Sequence, residues 1–274
     1  MIKMFFSLPH SYPPAGLFSR WHLLLLLVSV CLVAAGLYLS RNMTAAAVRR
    51  TVRITTACLW GLELAKILFV LFVTGSKNPN EFVPLYYCSI TLYAGLLSSL
   101  GSPLLMRVGD AFIAMGGIVG GVVFLLMPTT SLPQYPAFHF ISWHSFLLHG
   151  TMVYLGLLLL VRRVYCPRLG DIRYVAGLTG AIAALAFLFN TVYNRMASDP
   201  VANLMFVSRD FAGTPISILY RLCGRFFTPV MCLGQAFLPF FITYGGIVLV
   251  RRARRHLCKT AGKSERCMVK NREK

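Results

Sequence analysis

Seven long apolar stretches dominate this sequence and restrict it to very few folds. A bilayer core about 30 Å thick is crossed by roughly 20 residues of helix, so each stretch predicts a membrane span. The seven are Trp21–Ser40, Ile54–Thr74, Phe82–Leu100, Asp110–Pro128, Phe138–Val161, Tyr174–Asn194 and Phe226–Val250. In lipid, helices satisfy their own backbone hydrogen bonds. We therefore expect an all-α fold, a polytopic membrane bundle of seven transmembrane helices.

The composition excludes an ordinary soluble enzyme and assigns the charge to topology. Only 13% of residues are charged, against about a quarter in typical soluble domains. Lys and Arg number 27 against 8 acidic residues, a net charge of +19. In a soluble domain such a charge would suggest nucleic acid, but in so apolar a chain it indicates membrane orientation. We expect membrane lipids as partners and no nucleic acid.

The distribution of the basic residues predicts which ends face the cytoplasm. Seven Lys and Arg lie on the side of the N-terminal tail and 19 on the other side. The positive-inside rule then places the N-terminus outside and the C-terminus inside the cell membrane. The predicted parts are an outer tail, residues 1–20, a seven-helix domain, 21–250, with an outer loop, 194–225, and a basic cytoplasmic tail, 251–274. We interpret that tail as an anchor on the inner leaflet, with lipid or RNA binding as the alternative.

Metal and cofactor chemistry have no signature in the chain. The eight cysteines form no CxxC pair and no Cys/His array at zinc spacing. Walker and Rossmann phosphate loops are also missing. We expect no metal and no cofactor.

The few polar residues at membrane depth mark a candidate site, because such residues are costly in lipid. Glu63 and Lys66 stand three apart in the second span, a spacing that lets the side chains neutralise each other. Glu63 is also suited to orient a histidine on a neighbouring helix. Cys88 is accompanied by Tyr87 and by histidines at similar depth, whereas a lone cysteine would be a small apolar filler.

The fifth span carries two histidines at bilayer depth, and only one of them is expected to face a given point. His144 and His149 are five residues apart, about 140° around a helix. His144 matches the expected depth of Cys88, and His149 lies about 7.5 Å deeper. The sequence leaves open which imidazole faces the cysteine, and a packing role stands as the alternative for each.

The loop 194–225 is unusually polar, and its Asp-Pro and Gly-Thr-Pro sequences are typical of turns. Two interpretations are open. The loop either covers a substrate site or is held by its own hydrogen bonds.

Several segments in the range 54–225 match a known family pattern in order. They are Glu63, Pro84–Leu–Tyr–Tyr–Cys88, the glycine-rich Gly109–Pro128, His149–Gly150, and Asn203–Leu–Met–Phe206 followed by Gly213–Thr–Pro215. In these segments the chain resembles the YwaF-type integral membrane proteins of bacteria, relatives of a eukaryotic transmembrane acyltransferase family. Tyr86 and Tyr87 stand where many bacterial members include a histidine.

The resemblance implies a helical bundle and acyl transfer on phospholipids through a cysteine and a histidine. Carried over by position, Cys88 is the nucleophile and His149 the base, with His144 as the alternative base. The amides of Asn190 or Asn203 are candidate donors to the developing oxyanion. A transporter or small-ligand receptor is the competing hypothesis, and an accessory protein without chemistry is a third.

Overall fold

The chain folds into a bundle of α-helices in a computed structural model that describes residues 2–199 and 201–270, and the described residues contain no β-strand. The all-α prediction is confirmed. The last four residues of the predicted basic tail lie outside the described part. The helices are α1 (Ile2–Phe5), α2 (Arg20–Leu39), α3 (Ala45–Leu68), α4 (Pro79–Phe82), α5 (Ile90–Ser99), α6 (Pro103–Ala111), α7 (Ile118–Leu126), α8 (Phe140–Val161), α9 (Ile172–Met196), α10 (Pro215–Cys223) and α11 (Phe227–Lys270).

Six helical segments of the described chain are long and apolar enough to cross a membrane. They are Arg20–Asn42, Ala45–Thr74, Pro103–Leu126, Phe140–Val161, Leu169–Met196 and Pro215–Ala253. The expectation of membrane-spanning helices is therefore confirmed. A continuous helix over Phe82–Leu100 was expected as a further span, and that expectation is wrong for its first half.

The segment before α5 is irregular because of its proline. Pro84 has no N–H to donate and disfavours helical geometry at Val83, which is extended. The carbonyl of Pro84 accepts a hydrogen bond from the hydroxyl of Tyr93 at 3.0 Å, so the irregular segment folds back along α5. Helix α5 begins only at Ile90 and has 10 residues. Cys88 thus lies in a turn just ahead of a short helix.

Two stretches of π-helix interrupt the spans. Phe69–Thr74 continues α3, and Phe112–Gly117 joins α6 to α7. Short π-helical stretches inside α-helices are rare and are found often at functional sites. The carbonyl of Met115 accepts a hydrogen bond from the hydroxyl of Thr243 at 2.8 Å, so α11 docks against this stretch.

Glycines bring α7 and α8 into close contact, as the glycine-rich fourth span predicts. A β-carbon at Gly121 would stand 2.7 Å from the carbonyl oxygen of His149 and 2.6 Å from the side chain of Val153. At Gly156 it would stand 2.7 Å from the carbonyl oxygen of Ile113. These approaches place α8 in the middle of the bundle, where most of its residues are buried.

The end of the bundle at which α8 begins is here called the upper end, and the opposite end the lower end. At the lower end Arg49 Nη1 lies 2.6 Å from Asp110 Oδ1, and Ser98 donates to the same oxygen at 2.7 Å. Arg49 is close to the start of α3 and Asp110 belongs to α6. The spans Ala45–Thr74 and Pro103–Leu126 therefore run parallel, and the chain between them returns from the upper to the lower end.

The upper end is covered by the N-terminal arm, residues 2–19. His139 Nε2 lies 3.1 Å from the carbonyl oxygen of Ser7, while Nδ1 of the same ring accepts from the N–H of Ile141 and caps α8. The rings of Phe5 and Phe6 pack against Phe140. The arm thus lies above the histidine-bearing end of α8.

Candidate functional site

Glu63 is the centre of a buried charged cluster. Its side chain is 2% exposed, and Lys66 Nζ lies 2.6 Å from its Oε1 atom, as the three-residue spacing predicts. His144 Nε2, on α8, lies 3.0 Å from Oε2 of the same carboxylate. Glu63 therefore faces a histidine of a neighbouring helix, His144.

His144 Nε2 lies within ion-pair distance of the Glu63 carboxylate, but its geometry is not that of an aligned hydrogen bond. Nε2 is buried and makes no aligned hydrogen bond within the described residues. The lysine, by contrast, donates to the carboxylate at 2.6 Å. The imidazole is therefore close enough to Glu63 to be oriented by its carboxylate.

Cys88 lies beside this cluster. It packs against a buried apolar cluster formed by Leu59 of α3, Leu92 of α5, and Leu148 and Met152 of α8. Leu148 follows His144 by one helical turn. The charges of Glu63 and Lys66 both act on the thiol. The structure thus brings the cysteine to the face of α8 that carries Leu148 and Met152.

His149 faces a different neighbour. Its Nδ1 lies 2.7 Å from the carbonyl oxygen of Ser145, and since a carbonyl only accepts, Nδ1 carries the proton and Nε2 the basic lone pair. The ring stacks on Phe124 of α7, with 3.6 Å between centroids and 10° between planes. The two histidines therefore point to separate faces of α8, as their spacing predicts.

Tyr87 lies on the glycine surface of the π-helical segment. Its ring contacts Gly116 and Gly120, where a β-carbon would stand 2.7 Å and 2.9 Å from Tyr87 atoms. Its hydroxyl is buried with no hydrogen-bond partner among the residues described, and the same holds for Thr91, one helical turn later. Thr91 is not among the residues expected from the sequence, although its spacing of four from Tyr87 is a signal for a shared face.

Asn190 and Asn203 hold the loop 194–225. Asn190 Nδ2 donates to the carbonyl of Leu204 at 3.1 Å and to Ser208 Oγ at 2.9 Å, and its Oδ1 accepts from the N–H of Leu204. Asn203 Oδ1 accepts from the N–H groups of Ser208 and Arg209, both at 3.1 Å. The loop is thus held by hydrogen bonds of its own residues, which is one of the two interpretations open from the sequence. Donation to an oxyanion by these amides stays a prediction and would require some of these bonds to break.

Among the described residues, no group of three or more His, Cys, Asp or Glu side chains is arranged to hold a metal ion. The groups that the site does contain are a thiol, a carboxylate, an ammonium and two imidazoles.

Comparison with known proteins identifies the family of the chain. The model of the TMEM164 family matches residues 17–244, which include all the site residues discussed above. No curated protein and no solved structure matches the chain. The family match covers far more than half of the 274 residues, and it coincides with the apolar helices. The chain is an integral membrane protein of the TMEM164 family.

Proposed function

We propose that the protein is a lipid acyltransferase or hydrolase that uses Cys88 as nucleophile and a histidine as base. The observation that carries this proposal is the position of the thiol beside the buried Lys66, Glu63 and His144 cluster. Ionisable groups at membrane depth are functional candidates by default because of their cost in lipid. A thiol in such a site becomes a useful nucleophile when an imidazole accepts its proton.

His144 is the better supported base. Glu63 lies against its ring, and a carboxylate that orients an imidazole also stabilises the imidazolium formed on proton uptake. His149, the base by the family resemblance, is stacked on Phe124 and presents Nε2 to another face. We assign the base role to His144 and keep His149 as the alternative.

The reaction follows from these roles. The Cys88 sulfur attacks the ester carbonyl of a lipid, a C–S bond forms, and the thiol proton passes to the imidazole. The ester C–O bond then breaks and the leaving alcohol takes that proton, which leaves a thioester. A hydroxyl of a lysophospholipid, or water, next attacks the thioester, and its proton returns through the imidazole to the departing thiolate.

The test uses the purified full chain in phospholipid vesicles that contain a fluorescent acyl donor. Cys88→Ala is expected to abolish thioester formation and turnover, and His144→Ala to lower turnover by roughly 10²- to 10⁴-fold. Cys58→Ala, an exposed cysteine on α3, is the matched control and should turn over like the unmodified protein. Turnover that survives Cys88→Ala would exclude the cysteine mechanism.

Transport or ligand binding is the alternative function. Intramembrane carboxylate, lysine and histidine groups also line ion and substrate pathways. This hypothesis predicts saturable uptake into vesicles that persists in Cys88→Ala and is lost in Glu63→Gln. Vesicles that accumulate no solute from a broad panel, while acyl transfer is measurable, would exclude it.

A seventh membrane crossing and the orientation of the bundle are inferred from the order of the helices. Since the segments Ala45–Thr74 and Pro103–Leu126 run parallel, we propose that residues 75–102 form a seventh crossing, half irregular and half helix α5. The basic lower end would then face the cytoplasm and the arm 2–19 the outside of the cell membrane. The kinship to YwaF-type proteins and the partition into outer tail, seven-helix domain and basic tail belong to the same proposal.

A further inference from the structure

The loop 194–225 is bonded to the segment that leads to Cys88, residues 79–89. Asn80, in α4, donates from Nδ2 to the carbonyl of Val201 at 2.7 Å. Its Oδ1 atom accepts from the N–H of Asn203 at 2.8 Å. One side chain thus joins α4 to the backbone of the loop at two places, across sequence separations of 121 and 123 residues.

A second contact between the loop and the segment 79–89 is aromatic. The rings of Tyr86 and Phe206 lie 5.2 Å apart at their centroids, with 51° between planes. Phe206 is in turn stacked on Phe211 of the same loop, with 4.5 Å between centroids and 18° between planes. Tyr86 precedes Cys88 by two residues. The aromatic contact therefore lies next to the proposed nucleophile in the chain.

The segment 79–89 has little regular structure of its own to fix the thiol. Val83 is extended, and α5 begins only at Ile90. Sites built on helices or strands hold their groups more precisely than sites on loops, which depend on what packs around them. The position of Cys88 thus depends on contacts from other parts of the chain.

The loop is anchored firmly enough to provide such contacts. Met205 and Phe206 both have left-handed backbone angles, with φ of 54° and 53°. For residues other than glycine this conformation is costly and persists only where surrounding contacts hold it. The carbonyl of Met205 accepts from Gln235 Nε2 at 3.0 Å, and that of Val207 accepts from Thr228 Oγ1 at 2.6 Å. Both donors belong to α11, so the strained pair is tied to a long apolar helix.

We infer that Phe206 is a positioning residue: its ring, held by the strained loop, sets the place of Cys88 through Tyr86. Asn80 provides a second attachment of the same segment. The inference deepens the proposed acyl transfer and rests on Cys88 being its nucleophile. A displacement of about 1 Å at a reacting group can cost roughly 10²-fold in rate. Phe206 thereby contributes to the reaction through another side chain.

The first measurement follows turnover of the full chain in phospholipid vesicles that contain varied mole fractions of the fluorescent acyl donor. Phe206→Ala should lower kcat at least about tenfold and change KM less than about threefold, because the nucleophile moves while substrate binding remains. Phe206→Tyr keeps the ring and should restore most of the rate. Phe226→Ala, at a phenylalanine that is 57% exposed, is the matched control and should turn over like the unmodified protein.

A second measurement does not depend on catalysis. N-ethylmaleimide alkylates thiols, and mass spectrometry of peptides gives the rate at each cysteine of one molecule. Phe206→Ala should raise the rate at Cys88 roughly two- to tenfold, the effect of one lost aromatic pair. The rate at Cys232, a half-buried thiol of α11, should stay the same. Faster labelling at both cysteines would assign Phe206 to stability alone and overturn the inference.

Asn80→Ala keeps the inference testable if Phe206→Ala does not fold. It removes two bonds to the loop but little apolar packing, and should lower kcat and raise labelling of Cys88 by roughly two- to tenfold each. Unchanged kcat and unchanged labelling of Cys88 would overturn the inference. Turnover that survives Cys88→Ala would instead overturn the acyl-transfer proposal, and the labelling rates would still show whether Phe206 positions the thiol.

Discussion

Two buried acidic clusters in this bundle differ in how completely their carboxylates are paired. At the lower end Asp171 accepts from Arg107 Nε at 3.0 Å, Arg107 Nη2 at 2.8 Å, the hydroxyl of Tyr165 at 2.8 Å and the N–H of Arg168 at 2.8 Å. In mid-bundle Glu63 has one aligned donor, Lys66, and an imidazole that is near but not aligned.

This difference suits the Asp171 cluster to a structural role and the Glu63 cluster to a chemical one. A carboxylate whose lone pairs are all used is fixed, and it joins the segments that surround it. The carboxylate and Arg107 together keep Tyr165 in place, and burial and Asp171 raise the pKa of that phenol, so it remains a protonated donor. A carboxylate with unused capacity beside a thiol and an imidazole can respond to a reaction. Stability should therefore depend on Asp171 and activity on Glu63.

The largest expected effect on stability is that of Asp171→Ala. It leaves Arg107 partly buried without its carboxylate and removes the acceptor of Tyr165 and Arg168, so the free energy of unfolding should fall by about 3–5 kcal/mol. Thermal unfolding in detergent measures this loss. Asp199→Ala, at an exposed carboxylate of the upper loop, is the control and should change stability little. A loss below about 1 kcal/mol for Asp171→Ala would remove the contrast between the clusters.

Glu63→Gln should lower turnover strongly and stability only a little. The amide keeps the shape of the side chain, and Lys66, 16% exposed, can reach solvent, so stability should fall by less than for Asp171→Ala. Turnover should fall by roughly 10²- to 10⁴-fold because the imidazole loses its orienting charge. Acyl turnover and unfolding are measured on the same preparation. A variant that unfolds readily but retains its specific activity would assign Glu63 to structure.

The sequence predicts the helical bundle well because span length and apolar composition are local properties. The exception, Phe82–Leu100, shows the limit of that reasoning. Its composition is that of a span, but Pro84 and the contact of its carbonyl with Tyr93 prevent a helix before Ile90. A partly irregular crossing is tolerated where it is enclosed by other helices, which hydropathy alone does not reveal.

The site was predictable in part, for the same reason. The pairing of Glu63 with Lys66 follows from a three-residue spacing on one helix, and the divergence of His144 and His149 follows from helical geometry. Which of the two meets Glu63 depends on the rotation of α8 in the bundle, which no local pattern specifies. The ion pairs of the lower end were missed because their partners are 61 and 64 residues apart.

A double-mutant cycle on Glu63 and Lys66 tests whether mid-bundle charge is dispensable for folding. Lys66→Met removes the cation, and combined with Glu63→Gln it leaves no charge of the pair. Replacing both members of a buried pair is often neutral, whereas removal of one is costly. The double variant should therefore unfold less readily than the sum of the singles predicts, with a coupling of about 0.5–3 kcal/mol. Additive losses would show that the pair does not act as a unit.

The smallest effects come from two phenols, one in each region. Tyr165→Phe removes a donor to Asp171 and should cost about 1–2 kcal/mol. Tyr87→Phe removes a buried hydroxyl that has no partner in the described chain, so stability should hold or rise slightly. If the Tyr87 hydroxyl donates a hydrogen bond to substrate bound beside Cys88, turnover of Tyr87→Phe should also fall, by roughly tenfold. Removing a hydroxyl that has no hydrogen-bond partner should not lower stability. Equal losses of stability in the two variants would therefore mean that the Tyr87 hydroxyl is hydrogen-bonded as well as that of Tyr165.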